Sequence, residues 1–208
     1  MTIQLYSWAT PNGRKVSILL EELGVPYTVH PVNILQDEQF APAFLALNPN
    51  NKIPVIVDPA GPDGEPLTLS ESGAILIYLA RKFSSPLWPS DETEQAVVLQ
   101  WLMFQMGGLG PMFGQLHHFR RYAAGEAYPL ARFEKEVHRL YRVLDQRLGV
   151  SGFLGGARYG IADIAAYPWV ARFELHGLDW DRIPNVKRWY DGVGARPAVV
   201  RGMAVPAA

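Results

Sequence analysis

A chain of 208 residues can form one large domain or two small ones, and with 49% hydrophobic and 19% charged residues it has the profile of a folded globular protein. Nineteen Lys and Arg against twenty Asp and Glu leave a net charge of −1, which offers a polyanion no handle, and no basic run points to nucleic acid. The chain has no cysteine, which excludes disulfides, thiolate metal sites and a protein-borne redox thiol, so any sulfur chemistry must arrive with a bound small molecule.

The first residues, MTIQLYSW, carry neither a basic n-region nor an apolar h-region, so no signal peptide is expected. The apolar runs are too short to span a membrane, and a cytoplasmic enzyme is the default expectation. Ile3 to Trp8 is a short predicted strand. From Gly13 to Leu23, Val16, Leu19, Leu20 and Leu23 recur at helical spacing, and Gly24 and Pro26 supply the stop. Tyr27 to Asn33 is a second strand, placed at a sheet edge by Pro31. A short helix follows over Pro42 to Leu47. KIPVIVD, the turn-rich PAGPDGEP and LTL together make a hairpin over Ile53 to Leu69. Glu71 to Phe83 is a strongly apolar helix. The first 83 residues thus read β-α-β-α-β-β-α.

Ser84 to Asp91, SSPLWPSD, is a linker by composition. Beyond it strand patterns give way to helices at Glu92–Met106, Leu130–Leu148, Ile161–Phe173 and Asn185–Ala195. The expected organisation is therefore an α/β domain over 1–83, a linker over 84–91 and an all-α domain over 92–208. In YGIADIAAYPW, Gly160 falls at an N-cap and Asp163 at the third helical position, where a carboxylate reaches back to orphan N–H groups. Asp163 is read as a structural helix cap rather than a catalytic acid.

Three stretches of the first half can carry chemistry. Thr10-Pro11-Asn12 joins the first strand to the first helix. Thr10 suits an N-cap and Pro11 the first helical position. The free N–H groups and the dipole of that end attract anions, and the Thr10 hydroxyl and Asn12 carboxamide can both donate hydrogen bonds to a thiolate. The second stretch is NNKIPVI. A cis Ile53–Pro54 bond there would turn the Ile53 backbone outward to pair with an extended peptide, whereas a trans proline would only start an edge strand. The third is LSESGAI, where Glu71 can hold an ammonium and Ser72 a carboxylate. Taken alone, each stretch reads as an ordinary cap or strand start before it reads as a site.

The combination and order of these stretches are another matter. TPNGRKV, QFAPAFLALNPNNKIPVIVD, LSESGAILIYLA, LQWLMFQMGGLGPMFGQLHHF, HRLYRVLDQRL and YGIADIAAYPW resemble the cytosolic glutathione transferase superfamily over the whole chain. Within it they look most like the bacterial nu class, a group of glutathione-dependent disulfide-bond reductases. The resemblance implies a thioredoxin-like N-terminal domain, a helical C-terminal domain and a two-fold homodimer. It implies that Thr10 and Asn12 hold the glutathione sulfur, and that Ile53 pairs with the cysteinyl backbone beside a cis Pro54. It also implies that Glu71 and Ser72 hold the γ-glutamyl end, Gln39 and Lys52 lie near the glycine end or backbone, and Arg132 meets a ligand carboxylate. Tyr6 and Ser7 are rival thiol-activating groups, used as such in other classes.

Glutathione, one or two per subunit, would then supply the missing thiol. Its partner is expected to be a small disulfide, a peroxide or an electrophile, with no nucleic acid and no membrane involved. Three functions follow from the resemblance: disulfide reductase, transferase conjugating small electrophiles, and non-catalytic glutathione-binding regulator. His117 and His118 are adjacent, while His30, His138 and His176 show no ligand spacing, so no metal site is expected. Trp101, Phe104, Tyr141, Trp169 and Trp189 read as core, and aromatics over Phe113 to Phe119 are candidates to line a second-substrate pocket.

Overall fold

The computed structural model describes residues 2–207. They form two compact units, one of residues 2–85 and 196–207 and the other of residues 86–195.

The first unit holds a four-stranded mixed sheet in the order β2-β1-β3-β4, made of β1 (Ile3–Ser7), β2 (Tyr27–Pro31), β3 (Val55–Asp58) and β4 (Leu67–Ser70). β2 pairs parallel to β1, and β3 runs antiparallel to both β1 and β4. The edge position of β2 accommodates Pro31, which has no N–H to give a further strand. Helix α1 (Pro11–Leu23) crosses between the parallel strands, α2 (Pro42–Leu45) precedes β3, and α3 (Ser72–Lys82) follows β4. Leu5, Val16, Leu19, Leu20, Ile56, Ile75 and Leu79 are fully buried and form the core between sheet and helices. α1 ends where the pattern predicts, with Gly24 left-handed at φ 63° and its N–H bonded to the Glu21 carbonyl.

The C-terminal residues correct the expected division. The sequence reading leaves residues 196–208 in the helical half, yet helix α9 (Pro197–Met203) belongs to the first unit. It packs on α1, with Gly202 so close that an added Cβ would lie 2.5 Å from the Ile18 Cα. The Gly202 carbonyl accepts from Ser17 Oγ at 2.7 Å, and Arg196 forms two hydrogen bonds with Glu22. Seven residues with one glycine give too short a pattern to signal a helix.

The second unit contains α4 (Glu92–Phe104), α5 (Gly110–Tyr122), α6 (Ala127–Val150), α7 (Ile161–Val170) and α8 (Pro184–Gly194). Asp91 caps α4 by accepting from the Glu94 N–H at 2.9 Å. The expected helix over Glu92–Met106 does not stop there. A π-turn at Gln105–Leu109 carries it into α5, an element the sequence reading did not expect because three glycines and a proline open it. Gly110 and Gly114 serve packing. A Cβ at Gly110 would meet Gln105 Nε2 at 2.6 Å and the Trp169 ring nitrogen at 3.3 Å, and one at Gly114 would meet Trp169 at 3.4 Å. The continuous run Glu92–Tyr122 is 31 residues with a mean hydropathy of 1.2 in its best window. By length and composition it could cross a bilayer, contrary to the expectation drawn from shorter runs. Within this unit it packs against α6 and α7.

Candidate functional site

The sheet register collects the candidate residues of the first unit. Tyr6, Val55 and Ser70 are neighbours across β1, β3 and β4. β1 runs from that row towards Thr10, β3 enters it from Ile53 and Pro54, and β4 leaves it towards Glu71 and Ser72. The three stretches therefore meet at one end of the sheet, where open α/β sheets usually place ligands.

Thr10 is the N-cap of α1. Its extended backbone (φ −114°, ψ 161°) lets Oγ1 accept from the Gly13 N–H at 3.2 Å. That bond uses a lone pair of the hydroxyl oxygen and leaves its hydrogen to be donated elsewhere. Pro11 occupies the first turn, and Asn12 beside it is half-buried. The first turn of α1 contains no acidic residue, so no carboxylate of that turn competes for its positive end. Ser7 is buried directly beneath this turn, since a Cβ on Gly13 would lie 2.4 Å from its Oγ. Tyr6 stacks on His30 at 4.5 Å between centroids and packs on the cluster of Val32, Phe44 and Val55.

The Ile53–Pro54 bond is cis. Ile53 packs against the same apolar cluster, and Pro54 is buried. The preceding loop is pinned by Asn48, whose Nδ2 donates to the Lys52 carbonyl at 2.8 Å while the Lys52 side chain is exposed. Glu71 has φ 67°, a region that L-residues with long side chains rarely adopt. Such strain persists where the surroundings over-determine the residue; Glu71 is exposed and the adjoining Ser72 is buried. Gln39, after β2, is half-buried; its Nε2 donates to Asp37 Oδ1 at 3.4 Å, and its Oε1 has no hydrogen-bond partner among the described residues.

The sequence reading missed Lys15. Its side chain is 1% exposed and donates from Nζ to Ser72 Oγ at 3.3 Å, linking the start of α1 to the start of α3. Burial lowers its pKa to about 7, with Glu71 opposing the shift. The signal was available, because Lys15 precedes Ile18 and Leu19 by three and four residues and so shares their buried face.

Arg132 lies in the second unit, exposed on α6, where its charge helps hold Glu136 below the usual carboxylate range after the stronger hydrogen bond from Arg139. In the same unit Asp163 is fully buried and accepts from the Leu154 N–H (2.9 Å), the Gly160 N–H (3.0 Å) and Trp189 Nε1 (2.8 Å). Burial raises its pKa to about 6 against the pull of these bonds. Gly160 has no side chain to reciprocate, so the cap is one-sided. A second polar cluster went unread in the sequence: His176 Nε2 meets His117 Nε2 at 2.6 Å, and its Nδ1 meets the Tyr141 hydroxyl at 2.7 Å.

Residues 9–82 match the family model of the glutathione S-transferase N-terminal domain, and residues 127–192 match that of the C-terminal domain. The chain belongs to the glutathione S-transferase family. It is 50% identical over 200 residues to the disulfide-bond oxidoreductase YfcG of Escherichia coli, covering 94% of this chain and 92% of that one. A glutathione transferase from Burkholderia graminis, solved with two glutathione molecules per subunit, superposes with a TM-score of 0.93 at 50% identity over 99% of this chain and 89% of its own. One from Pseudomonas putida, solved with one glutathione disulfide per subunit, gives 0.92 at 46% identity over 99% and 92%. The two units are thus the thioredoxin-like and helical domains of a transferase fold.

Proposed function

We propose that this protein is a glutathione-dependent disulfide-bond reductase of the nu class. The observation that carries the reading is that a chain without a single cysteine shares half its residues with a disulfide-bond oxidoreductase. Both thiols of the reaction must then come from glutathione. The relatives bound to two glutathiones, or to one glutathione disulfide, correspond to the two ends of such a cycle.

In this reading the helix α1 N-terminus, the Thr10 hydroxyl and the Asn12 carboxamide face the glutathione sulfur. A cysteinyl thiol has a pKa near ~8.5, and lowering it by about two units requires roughly 2.7 kcal/mol of preference for the thiolate. Two hydrogen bonds to an anion beside a helix N-terminus are of that order. The thiolate attacks one sulfur of the substrate disulfide, forming a mixed disulfide and releasing the other sulfur as a thiolate that takes a proton. The second glutathione, also as thiolate, attacks the glutathione sulfur of the mixed disulfide and releases the second substrate thiol. Two glutathiones are oxidised to one glutathione disulfide, and one substrate disulfide is reduced to two thiols. The Ile53 backbone, Glu71 and Ser72 orient the first tripeptide, Gln39 and Lys52 serve its glycine end, and Arg132 serves a ligand carboxylate. Peroxides are a second class of oxidant open to the same thiolate.

The protein is read as a cytoplasmic homodimer. A groove of about 820 Å³ in the first unit, lined by Leu69, Ala74, Ile77, Tyr78, Arg81 and Lys82, offers such a dimer a surface to bury. The deciding test is reduction of 2-hydroxyethyl disulfide with glutathione, run beside conjugation of chlorodinitrobenzene. Fast reduction with slow conjugation is expected. Fast conjugation with no reduction would establish the transferase instead, and glutathione binding without either activity the regulator.

A further inference from the structure

The second unit holds a cavity of about 230 Å³ that the proposed reaction does not use. Its walls come from α6 and from the segment that leads from α7 to α8. The buried Tyr141 and Ile183, with the half-buried Leu178, make its lining apolar on one side. The Tyr141 hydroxyl is held by His176 Nδ1 at 2.7 Å, so the polar end of that side chain is already engaged.

The polar groups of the lining are mostly donors. The turn after the 3₁₀ segment Phe173–His176 is made by Gly177, left-handed at φ 63°. At such a turn the next two N–H groups ordinarily close back on the preceding carbonyls. Here Arg120 donates to the Leu175 carbonyl and His138 Nε2 to the His176 carbonyl. Among the described residues the N–H groups of Gly177 and Leu178 have no hydrogen-bond partner. Successive N–H groups at a junction of right- and left-handed residues make a concavity that suits an anion. Arg142 stands one turn beyond His138 on α6, lines the same cavity and forms no ion pair among the described residues. The acids that flank it on α6 are committed elsewhere, Glu136 to Arg139 and Asp145 to the N–H groups of Asn185 and Val186. The carboxylate in the lining, Asp179, pairs with Arg182 through one oxygen and accepts from the Asp181 N–H with the other. With Arg182 balancing Asp179, the charge of Arg142 is left in excess.

We propose that this cavity is a binding site for a small aromatic carboxylate, separate from the residues read as holding glutathione. Its carboxylate is held by the Arg142 guanidinium and the Gly177 and Leu178 N–H groups, and its ring lies on Tyr141, Leu178 and Ile183. The excess charge selects an anion, the planar fork of arginine matches a carboxylate, and the apolar wall favours a ligand with an apolar body. A cavity of roughly 150 Å³ accepts benzene, so the volume here admits one ring with a short carboxylate arm. Arg132, read as serving glutathione, does not line the cavity and stands nearly three turns earlier on α6, about 15 Å along its axis.

The test is titration of the full chain with phenylacetate, followed by backbone amide chemical shifts. Saturable shifts are expected at Gly177 and Leu178. Phenylacetamide, of the same shape without the charge, should bind at least tenfold more weakly, and Arg142→Gln should weaken phenylacetate binding about tenfold. No saturable shift at Gly177 and Leu178 in the wild-type protein overturns the site, and this measurement needs no variant to fold. Equal affinity for phenylacetamide, or an unchanged affinity in Arg142→Gln, overturns the recognition of a carboxylate. Inorganic phosphate binding there as tightly as phenylacetate overturns the role of the apolar wall. Saturable shifts confined to the starts of α1 and α3 would place phenylacetate among the residues read as holding glutathione, which overturns the separate site and leaves that reading standing.

Discussion

Thr10 performs two tasks with one oxygen. It accepts from the Gly13 N–H to cap α1, and its hydrogen remains for donation. Thr10→Ser keeps both tasks, whereas Thr10→Ala loses both and should cost about 1 kcal/mol of stability as a lost cap. Thr10→Ala and Asn12→Ala should each lower kcat/KM for disulfide reduction about tenfold at pH 7, the worth of roughly one hydrogen bond to a charged group. The deficit should shrink near pH 9, where glutathione ionises without help. A pH-rate profile of each variant checks this, and an unchanged rate in both would remove them from the thiolate site. Asp163 is the opposite case, a carboxylate whose three bonds are spent on structure. Asp163→Ala leaves two N–H groups and an indole N–H buried without an acceptor, and should cost about 3–5 kcal/mol by urea unfolding.

At the scale of elements, glycine decides two packings. Gly202 lets α9 lie on α1, and a methyl there would meet backbone atoms of Ile18 at 2.5 and 2.6 Å, which no rotamer change relieves. Gly202→Ala should therefore destabilise by about 1–3 kcal/mol, as overpacking does. Gly192 on α8 is exposed with nothing within 4 Å of its would-be Cβ. Gly192→Ala should stabilise by about 0.5–1 kcal/mol because it restricts the unfolded chain and suits a helix. Paired thermal melts of the two variants should move in opposite directions. The sequence signals both positions as breakers, and only the neighbours distinguish them. The π-turn makes the same point. Gln105 to Gly110 read as the end of a helix, yet Gly110 and Gly114 admit Trp169 against α5 and the helix continues.

The buried His117–His176 pair reports on the stability of the whole molecule. Burial, with Arg120 and Arg172 nearby, holds both histidines below their ordinary range, so the native state stays unprotonated where the unfolded chain, near pH ~6.5, takes up protons. Their contribution is fully present above that pH and is lost as the pH falls through the acidic range, at up to about 1.4 kcal/mol per pH unit for each histidine. Asp163 acts with the opposite sign. Its folded pKa of about 6 exceeds the unfolded value of ~3.9, so in that window the native state binds its proton first and gains stability as the pH falls. The two histidines outweigh the one carboxylate, and urea midpoints should fall between pH 6.5 and 4.5. Replacing His117 with Phe should flatten that fall. If the protein is the homodimer proposed above and the groove of α3 and β4 is its seam, sedimentation velocity should show a dimer for the wild type and a monomer for Ile77→Glu, with the far-UV spectrum unchanged; a wild-type monomer overturns the assembly reading.

The sequence by itself determined the order of strands and helices of the first half, the caps at Thr10 and Asp163, the stop at Gly24 and the edge placement of β2. These are local, since they depend on residues within a turn or on a periodicity of two or 3.6. The absence of cysteine likewise determined that any thiol must be brought in. Only the tertiary structure decided that Thr10, Ile53 and Glu71 share one end of a sheet, because register is set between strands that are distant in the chain. Only it placed α9 on α1, carried α4 into α5 and buried Lys15 beneath Ser72. Each of these is a matter of which surface faces which, and that is settled by packing between segments up to 185 residues apart.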